Sequence, residues 1–490
     1  MRIAELAGRR VALWGFGREG RATLAALHAR LPDLPVTLFC GEDEPGSLDD
    51  PASSLKTIAS GKRSGAKVPG RDGFAVVTSR VVTDPPDATM LSAFDVVIKS
   101  PGISAYRPEI AMAAKAGTRF TSGTALWFAE HPEARVIAVT GTKGKSTVSA
   151  LIAHLLRALG RRTALAGNIG LPLLELLDPP FAPDWWVVEL SSFQTGEAGR
   201  VAIGVFNNLD QEHLDWHGSS ERYAADKLAL AARADCLVVN ARQSDLPARV
   251  AWAAGIDGAA AGPSKAMHRF GLRDGWHVHG DAVARDDLRV FGLRNSPLSG
   301  AHNALNLCAA LAALEAAGED AVAAAAHVAT FQPLPHRLQT LGRRDDVTWI
   351  DDSIATTPQA TLEALASLPE RSKATLLVGG YERGLDWRPF AAGVRATPPH
   401  AIVTMGANGA RIEAILRAVG GDYRLESARA LADAVRIARA VTPAAGIIAL
   451  SPGAPSFDAF ADYVERGRAF ATLAGFDADA IGGIDGLGIG

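Results

Sequence analysis

Apolar runs, glycine-rich turns and amphipathic stretches follow one another along the chain in three blocks. The first is RRVALWGFGREGRATLAALHARL at 9–31, with a further apolar run, VTLFC, at 36–40. The second is ARVIAVTGTKGKSTVSALIAHLLRALG at 134–160. The third is looser: VTWIDDSIATTPQATLEALASL at 347–368, then ATLLVGG, AIVTMGA and GIIALSPGAPS, the last ending at 456. An aliphatic or β-branched run that stops at Gly, Ser or Asp reads as a strand, and the periodic stretch behind it as a helix. Strands alternating with helices predict an α/β fold with parallel sheets. The polar, Pro- and Gly-rich stretch at 61–90 reads as an elaboration or loop of the first domain, and HPEA at 131–134 and FQPLPHR at 331–337 read as linkers. The last ten residues, IGGIDGLGIG, read as a weakly ordered tail.

Composition narrows the class. The 490 residues allow about three domains at roughly 150 residues each. A hydrophobic content of 48% supports several cores and opposes a disordered chain. The net charge of −3 gives no basic footprint for nucleic acid or a membrane surface, so an anionic ligand must be met by local basic groups and helix N-termini. Cys40, Cys236 and Cys308 lie far apart with no C-x-x-C pair, and read as small reduced core residues, which favours the cytoplasm. The start, MRIAELAGRR, lacks an apolar h-region, and no apolar run reaches about 18 residues, so neither a signal peptide nor a membrane span is expected.

The most specific chemistry lies in TGTKGKST at 140–147. Only two residues separate Gly141 from Gly144, so it departs from the G-x-x-x-x-G-K-[ST] phosphate loop. The physical parts remain: flexible glycines after a strand, then Lys145, Ser146 and Thr147 opening a helix. Backbone N–H groups from Gly141, Thr142, Lys143 and Gly144 onward would cradle ATP phosphates at the helix N-terminus. Lys145 would neutralise the β and γ oxygens, and the Ser146 hydroxyl would ligate Mg²⁺. Glu189 ends another strand-like run, DWWVVEL, where a carboxylate can face a cleft and hold a hard cation. Asn303 and Asn306 are about one helical turn apart and share a face.

A second glycine pattern is weaker. Gly15, Gly17 and Gly20 in WGFGREG spell G-x-G-x-x-G, usually a dinucleotide fingerprint. VTLFCGED lacks the usual acidic residue at the end of its strand, though Glu42 or Asp43 could meet a ribose. An NAD-dependent dehydrogenase would use this loop but leave TGTKGKST idle.

From TGTKGKST onward the chain resembles the Mur ligases, which build the peptide stem of peptidoglycan. The likeness continues through GNIG, VVELSSFQ, EHLDWHG, RYAADK, GAHNALN, PLPHR, DDSIATT, VGGYERG and SPGAPSFDAFADYVERG, in family order across nearly the whole chain. The resemblance is to the glutamate-adding branch. It implies three domains: a Rossmann-like UDP-substrate domain at 1–125, a central P-loop ATPase domain at 126–333, and a C-terminal Rossmann-like glutamate domain at 334–490. It also implies the reaction. ATP converts the terminal carboxylate of UDP-N-acetylmuramoyl-L-alanine to an acyl phosphate, the glutamate amine attacks, and amide, ADP and phosphate result. No protein nucleophile is needed, and no G-x-S-x-G elbow or catalytic-cysteine signature is present.

Residue by residue, the resemblance makes His213 a ligand of the second Mg²⁺ beside the substrate, and Lys227 a carbamylated lysine near that metal. A carbamate attracts Mg²⁺ where an ammonium would repel it. Asn303, Asn306, Arg337 and Asp352 match nucleotide contacts, and Arg337 could steady charge on the transferring phosphoryl. Asn168 and Gln194 match contacts to the muramoyl-alanine part. Gly15, Phe16, Gly17 and Arg18, with Ser100 and Gly102 as a wall, become the handle for UDP. Trp216 and His217 adjoin the site in sequence without an assigned role.

Thr356, Arg383, Ser456 and Tyr463 match positions around the incoming glutamate, and Arg383 offers a bidentate fork for a carboxylate. Ile354 and Thr357 stand where D-glutamate ligases of this family read Lys and Asn. With the C-terminal extension, this departure resembles a variant branch that adds L-glutamate and relies on a separate epimerase; the ordinary D-glutamate enzyme is the alternative. A monomer is expected.

Overall fold

The computed structural model describes residues 1–41, 66–69, 75–210, 214–256, 265–298 and 300–490. Three sheets organise them. The first runs in the order Ala66–Pro69, Ala75–Val82, Val36–Phe39, Val11–Trp14, Val96–Lys99, Arg119–Thr121, parallel except for its first strand. The second contains a parallel centre in the order Ala266–Phe270, Ala234–Asn240, Val201–Phe206, Val136–Thr140, Trp185–Glu189, Thr163–Gly167. An antiparallel meander, Trp276–His279, Ala282–Arg285 and Leu288–Gly292, extends one edge. The third runs Gln339–Arg344, Val347–Asp351, Ile447–Leu450, Ala374–Val378, Ala401–Thr404, Arg424–Ser427, with only its first strand antiparallel.

The uninterrupted apolar runs are what a parallel sheet covered on both faces requires. Every residue of Val136–Thr140, Trp185–Glu189 and Ala374–Val378 is buried. Behind Val136–Thr140, the helix Lys145–Ala158 turns Val148, Leu151, Ile152, Leu155 and Leu156 inward at three- and four-residue intervals. The helix Ala301–Ala316 is apolar almost all round and buries ten of its residues, so its one buried polar side chain, Asn306, needs a partner.

The chain divides into two compact units. One comprises Met1–Pro297, Ala301–Phe331 and Gly486–Gly490, and holds the first two sheets; the other comprises Leu298–Gly300 and Gln332–Asp485, and holds the third. Among the described residues no helix is long and apolar enough to cross a membrane.

Three expectations change. The stretch at 61–90 contributes two paired strands, Ala66–Pro69 and Ala75–Val82, the second of which joins the first sheet beside Val36–Phe39. The glycine-rich tail is not loose. Gly488–Ile489 pairs antiparallel with Thr163–Gly167 and closes the open edge of the second sheet. Thr163 N donates to Gly490 O at 3.0 Å, and the Arg157 guanidinium reaches both Thr163 O and Gly488 O. A strand with almost no side chains is held here by its backbone, which hydropathy does not register. Lastly, Cys40 and Cys308 are buried core residues, whereas Cys236 is only half-buried.

Candidate active site

In the first unit, four parallel strands end side by side. Phe206 pairs with Thr140, Val139 with Glu189, and Glu189 with Gly167. The segments that follow, 141–144, 190–195, 207–210 and 168–170, therefore gather at the carboxyl edge of one sheet, beside a central strand whose neighbours lead in opposite directions. Such a switch point leaves a crevice for a ligand.

The phosphate loop fills that crevice and is braced from outside it. Gly144 adopts φ 77°, and a side chain there would strike Asn306 Oδ1 and Asn207 Nδ2, so only glycine fits. No side chain caps the helix Lys145–Ala158, which leaves its first-turn N–H groups for an anion. Asn208 Oδ1 accepts from Lys143 N at 2.7 Å, while Asn207 and Asn208 both donate to Lys143 O. Asn207 also donates to Asn306 Oδ1 at 2.9 Å, and Asn306 donates to Asn303 Oδ1 at 3.1 Å. Thr142 Oγ1 meets Tyr223 Oη at 2.8 Å and accepts from Asp210 N. Lys145 Nζ rests on Thr142 O at 3.0 Å.

Asn306 thus reaches the loop through Asn207, and Asn303 through Asn306 on the same helix face. Asn207, Asn208 and Tyr223 were not foreseen. The NNLD turn directly after a strand end was the available signal for the first two.

Glu189 is buried at the end of its strand. Asn168 Nδ2 donates to its Oε1 at 2.8 Å, but Oε2 is buried with no hydrogen-bond partner. An orphaned carboxylate oxygen beside a phosphate loop fits a hard divalent cation, with the Ser146 hydroxyl on the same loop as a second oxygen donor. Among the described residues no three His, Cys, Asp or Glu side chains converge as a ready metal cluster. His213 lies outside the described residues, as do Glu42 and Asp43. Lys227 is buried on the helix Ser220–Arg233, its Nζ donating to Gly141 O at 2.7 Å and lying 4.9 Å from the Tyr223 ring centroid.

The other substrate candidates separate. Gln194 is almost fully buried with its amide spent on Ser191 and Thr124, so it orients Ser191 within the protein. Phe16 is buried in the core, leaving only its backbone to a ligand. Gly15 N donates to Phe39 O, Ser100 Oγ donates to Gly15 O at 3.1 Å, and a Cβ at Gly20 would fall on the Gly15 carbonyl. Gly15, Gly17 and Ser100 therefore form a tight strand–turn–helix entry, with Gly102 exposed near Ser100 in the chain. Arg18 is exposed and donates to Gly170 O at 3.0 Å, joining this loop to the GNIG segment.

In the second unit, His336 and Leu338 both carry positive φ, 60° and 46°, and hold Arg337 between them. Left-handed backbone at bulky residues is costly and persists only where neighbours enforce it. Asp351 Oδ2 accepts from the His336 ring at 2.7 Å, and Asp352 Oδ1 accepts from Leu338 N. Asp352 is buried, which pushes its carboxyl up to about 7; the Ser451 hydroxyl at 2.7 Å and the charge of Arg337 pull the other way. Arg337 Nε is buried with no hydrogen-bond partner.

Arg466 is the residue sequence reasoning missed here. It is buried, its guanidinium donating to Ser353 Oγ and to the carbonyls of Ser353, Ala454 and Pro455. Burial lowers its pKa to about 10. That clasp draws the loop carrying Thr356 and the loop carrying Ser456 together. Ser456 is buried, Thr356 half-buried, Arg383 exposed, and the Tyr463 ring stands 5.9 Å from His336. Thr357 caps the helix Pro358–Ser367 by accepting from Ala360 N.

Residues 139–314 match the Mur ligase middle domain. A protein of Xanthomonas euvesicatoria pv. vesicatoria named UDP-N-acetylmuramoyl-L-alanine--L-glutamate ligase is 48% identical over 507 residues, covering 100% of both chains. A Salinispora tropica protein of the same name is 37% identical, over 96% of this chain and 98% of its own. Among solved structures, UDP-N-acetylmuramate-alanine ligase MurC from Thermotoga maritima aligns with a TM-score of 0.57 at 17% identity, over 95% of this chain and 99% of that one. Folylpolyglutamate synthase of Mycobacterium tuberculosis, complexed with ADP, reaches 0.54 at 18% identity, over 72% and 93%. These two structures speak for the fold alone. A chain that matches the Xanthomonas protein end to end at nearly half its positions belongs to the Mur ligase family.

Proposed function

We propose that this chain joins L-glutamate to UDP-N-acetylmuramoyl-L-alanine at the expense of ATP, as a cytoplasmic step of peptidoglycan precursor synthesis. The observation that carries the reading is the pairing of an uncapped, glycine-entered helix N-terminus with the orphaned Glu189 oxygen on the neighbouring strand. The shared name of the full-length relatives supports the substrates and the L configuration.

The N–H groups of 141–147 and Lys145 bind the triphosphate and stabilise charge as the γ-phosphoryl moves to the substrate carboxylate. Ser146, Glu189, His213 and a carbamylated Lys227 are the groups for Mg²⁺, which supplies charge neutralisation between phosphate and carboxylate when bound. Gly15, Gly17, Ser100 and Gly102 receive the UDP pyrophosphate, and Asn168 the muramoyl-alanine end. Arg337 and Asp352 serve the nucleotide, while Thr356, Arg383, Ser456 and Tyr463 hold glutamate with its amine toward the acyl phosphate. Positioning accounts for most of the rate, since a bound amine at an activated carbonyl needs no protein nucleophile. Residues 1–125, 126–333 and 334–490 are the corresponding domains of a monomer, and an epimerase acts on the product.

The test incubates purified protein with ATP, Mg²⁺ and UDP-N-acetylmuramoyl-L-alanine, with either glutamate isomer, and measures phosphate and amide product. Turnover with L-glutamate is expected. No turnover with either isomer sinks the ligase reading, and turnover with D-glutamate alone sinks the stereochemical one.

A further inference from the structure

His217 has no part in the reading above, yet it is fully buried where three elements meet. Its Nδ1 lies 2.7 Å from Asp226 Oδ2, and its Nε2 lies 3.0 Å from Ser192 Oγ. A carboxylate on Nδ1 fixes the proton there, which leaves Nε2 to accept from the Ser192 hydroxyl. The imidazole therefore ties the 190–195 loop, which follows Glu189, to the helix that carries Lys227.

The ring contacts extend the tie in two directions. Toward the phosphate loop, His217 packs edge-on against Tyr223 at 5.2 Å; the Tyr223 hydroxyl meets Thr142 Oγ1, and its ring lies against Lys227 Nζ. Toward the Ser100–Gly102 wall, Trp216 Nε1 donates to Pro101 O at 3.1 Å, and Trp216 O accepts from Ser104 Oγ. Tyr106 Oη donates to the second oxygen of Asp226 at 2.6 Å. Phe193 stacks on Trp216 at 4.5 Å. One buried imidazole thus sits between the wall offered to the UDP substrate and the loop offered to ATP.

We propose that His217 is a positioning residue that acts through Asp226 and Tyr223 to hold Lys227 and the phosphate loop in register with the UDP-substrate wall. The inference rests on the ligase reading for its kinetic form, but its geometry concerns nucleotide binding alone as well. The alternative, a merely space-filling histidine, predicts that any polar side chain of similar size serves equally.

Three full-length variants separate the two. His217→Asn places a donor amide near the Nδ1 position and so keeps a bond to Asp226. His217→Gln places its amide near the Nε2 position and keeps only the bond to Ser192. His217→Ala keeps neither. Turnover of saturated enzyme and calorimetric affinity for a non-hydrolysable ATP analogue with Mg²⁺ are measured beside thermal melts. Loss of a residue that orients ligating groups costs about 10- to 100-fold, so His217→Ala should lose that much in kcat and in nucleotide affinity. The KM for glutamate should barely move. His217→Asn should recover most of the loss and His217→Gln little of it.

Equal recovery by Asn and Gln, or near-normal values for His217→Ala, overturns the proposal. Should the alanine variant fail to fold, the Asn–Gln contrast still decides. Absence of turnover in the parent protein would count against the ligase reading, and the nucleotide-affinity ranking then decides the role of His217 independently.

Discussion

At the scale of single residues, Lys145 and Asp352 give the sharpest expectations. Lys145 opens an uncapped helix, and its Nζ donates to Thr142 O in the phosphate loop. Lys145→Ala removes the cation placed at that loop and should abolish phosphate release, with a thermal melt as the control for folding; near-normal release would refute its role. Asp352 has a folded pKa of about 7 against an ordinary value of 3.8. A raised folded pKa means that the folded state keeps a proton the unfolded chain has released. Its stabilising contribution is complete below about pH 4 and lost as pH rises through about 7, by up to about 4 kcal/mol. Arg337, Asp351 and Ser451 face the same carboxyl and set where in that window the loss falls. Asp352→Asn should flatten the pH dependence of urea unfolding between pH 4 and 8, followed by circular dichroism. An unchanged slope would show that another group titrates. Legibility at this scale followed chemistry. Lys145, Ser146 and Glu189 stood out because phosphate and metal chemistry restricts residue type at a strand end. Asn207, Asn208, Tyr223 and Arg466 did not, because a brace is defined by what it touches far along the chain, as Asn207 touches Lys143 at a separation of 64 and Arg466 touches Ser353 at 113.

At the scale of elements, the central strands of each sheet were legible because burial on both faces forces continuous apolar runs. The edges were not. Ala66–Pro69 lies in a polar, glycine-containing stretch, and Gly488–Ile489 has almost no side chain to signal a strand. Edge strands are specified by backbone pairing with a distant partner, which local composition does not carry. The C-terminal strand can be tested directly. It satisfies Thr163 N and Thr163 O and engages Arg157 on the exposed edge of Thr163–Gly167. Deleting residues 486–490 removes these bonds, each worth about 0.5–1.5 kcal/mol net. The urea midpoint of the first unit should fall by roughly 1–3 kcal/mol of stability at constant m value. An unmoved midpoint would mean that the strand rests on the sheet without stabilising it.

At the scale of the whole molecule, the candidate groups for one reaction are divided between two compact units with separate cores. The first unit's core runs from Ile3 through Val188 to Val250, and the second's includes Ile350, Phe390, Ile402 and Ala449. A separate core makes each unit a cooperative unit in its own right, so calorimetry should resolve two transitions. The proposed roles then assign ligands to transitions. A non-hydrolysable ATP analogue with Mg²⁺ meets 141–147, Glu189 and Lys227 in the first unit as well as Arg337 and Asp352 in the second; glutamate meets Thr356, Arg383, Ser456 and Tyr463, all in the second. A ligand at tenfold its Kd adds about 1.4 kcal/mol to the state that binds it. That raises the midpoint by about two degrees in the larger unit and about four in the smaller. The analogue should therefore raise the first unit's transition, and L-glutamate the second unit's alone. If L-glutamate raised the first unit's transition instead, the assignment of the glutamate residues would be wrong.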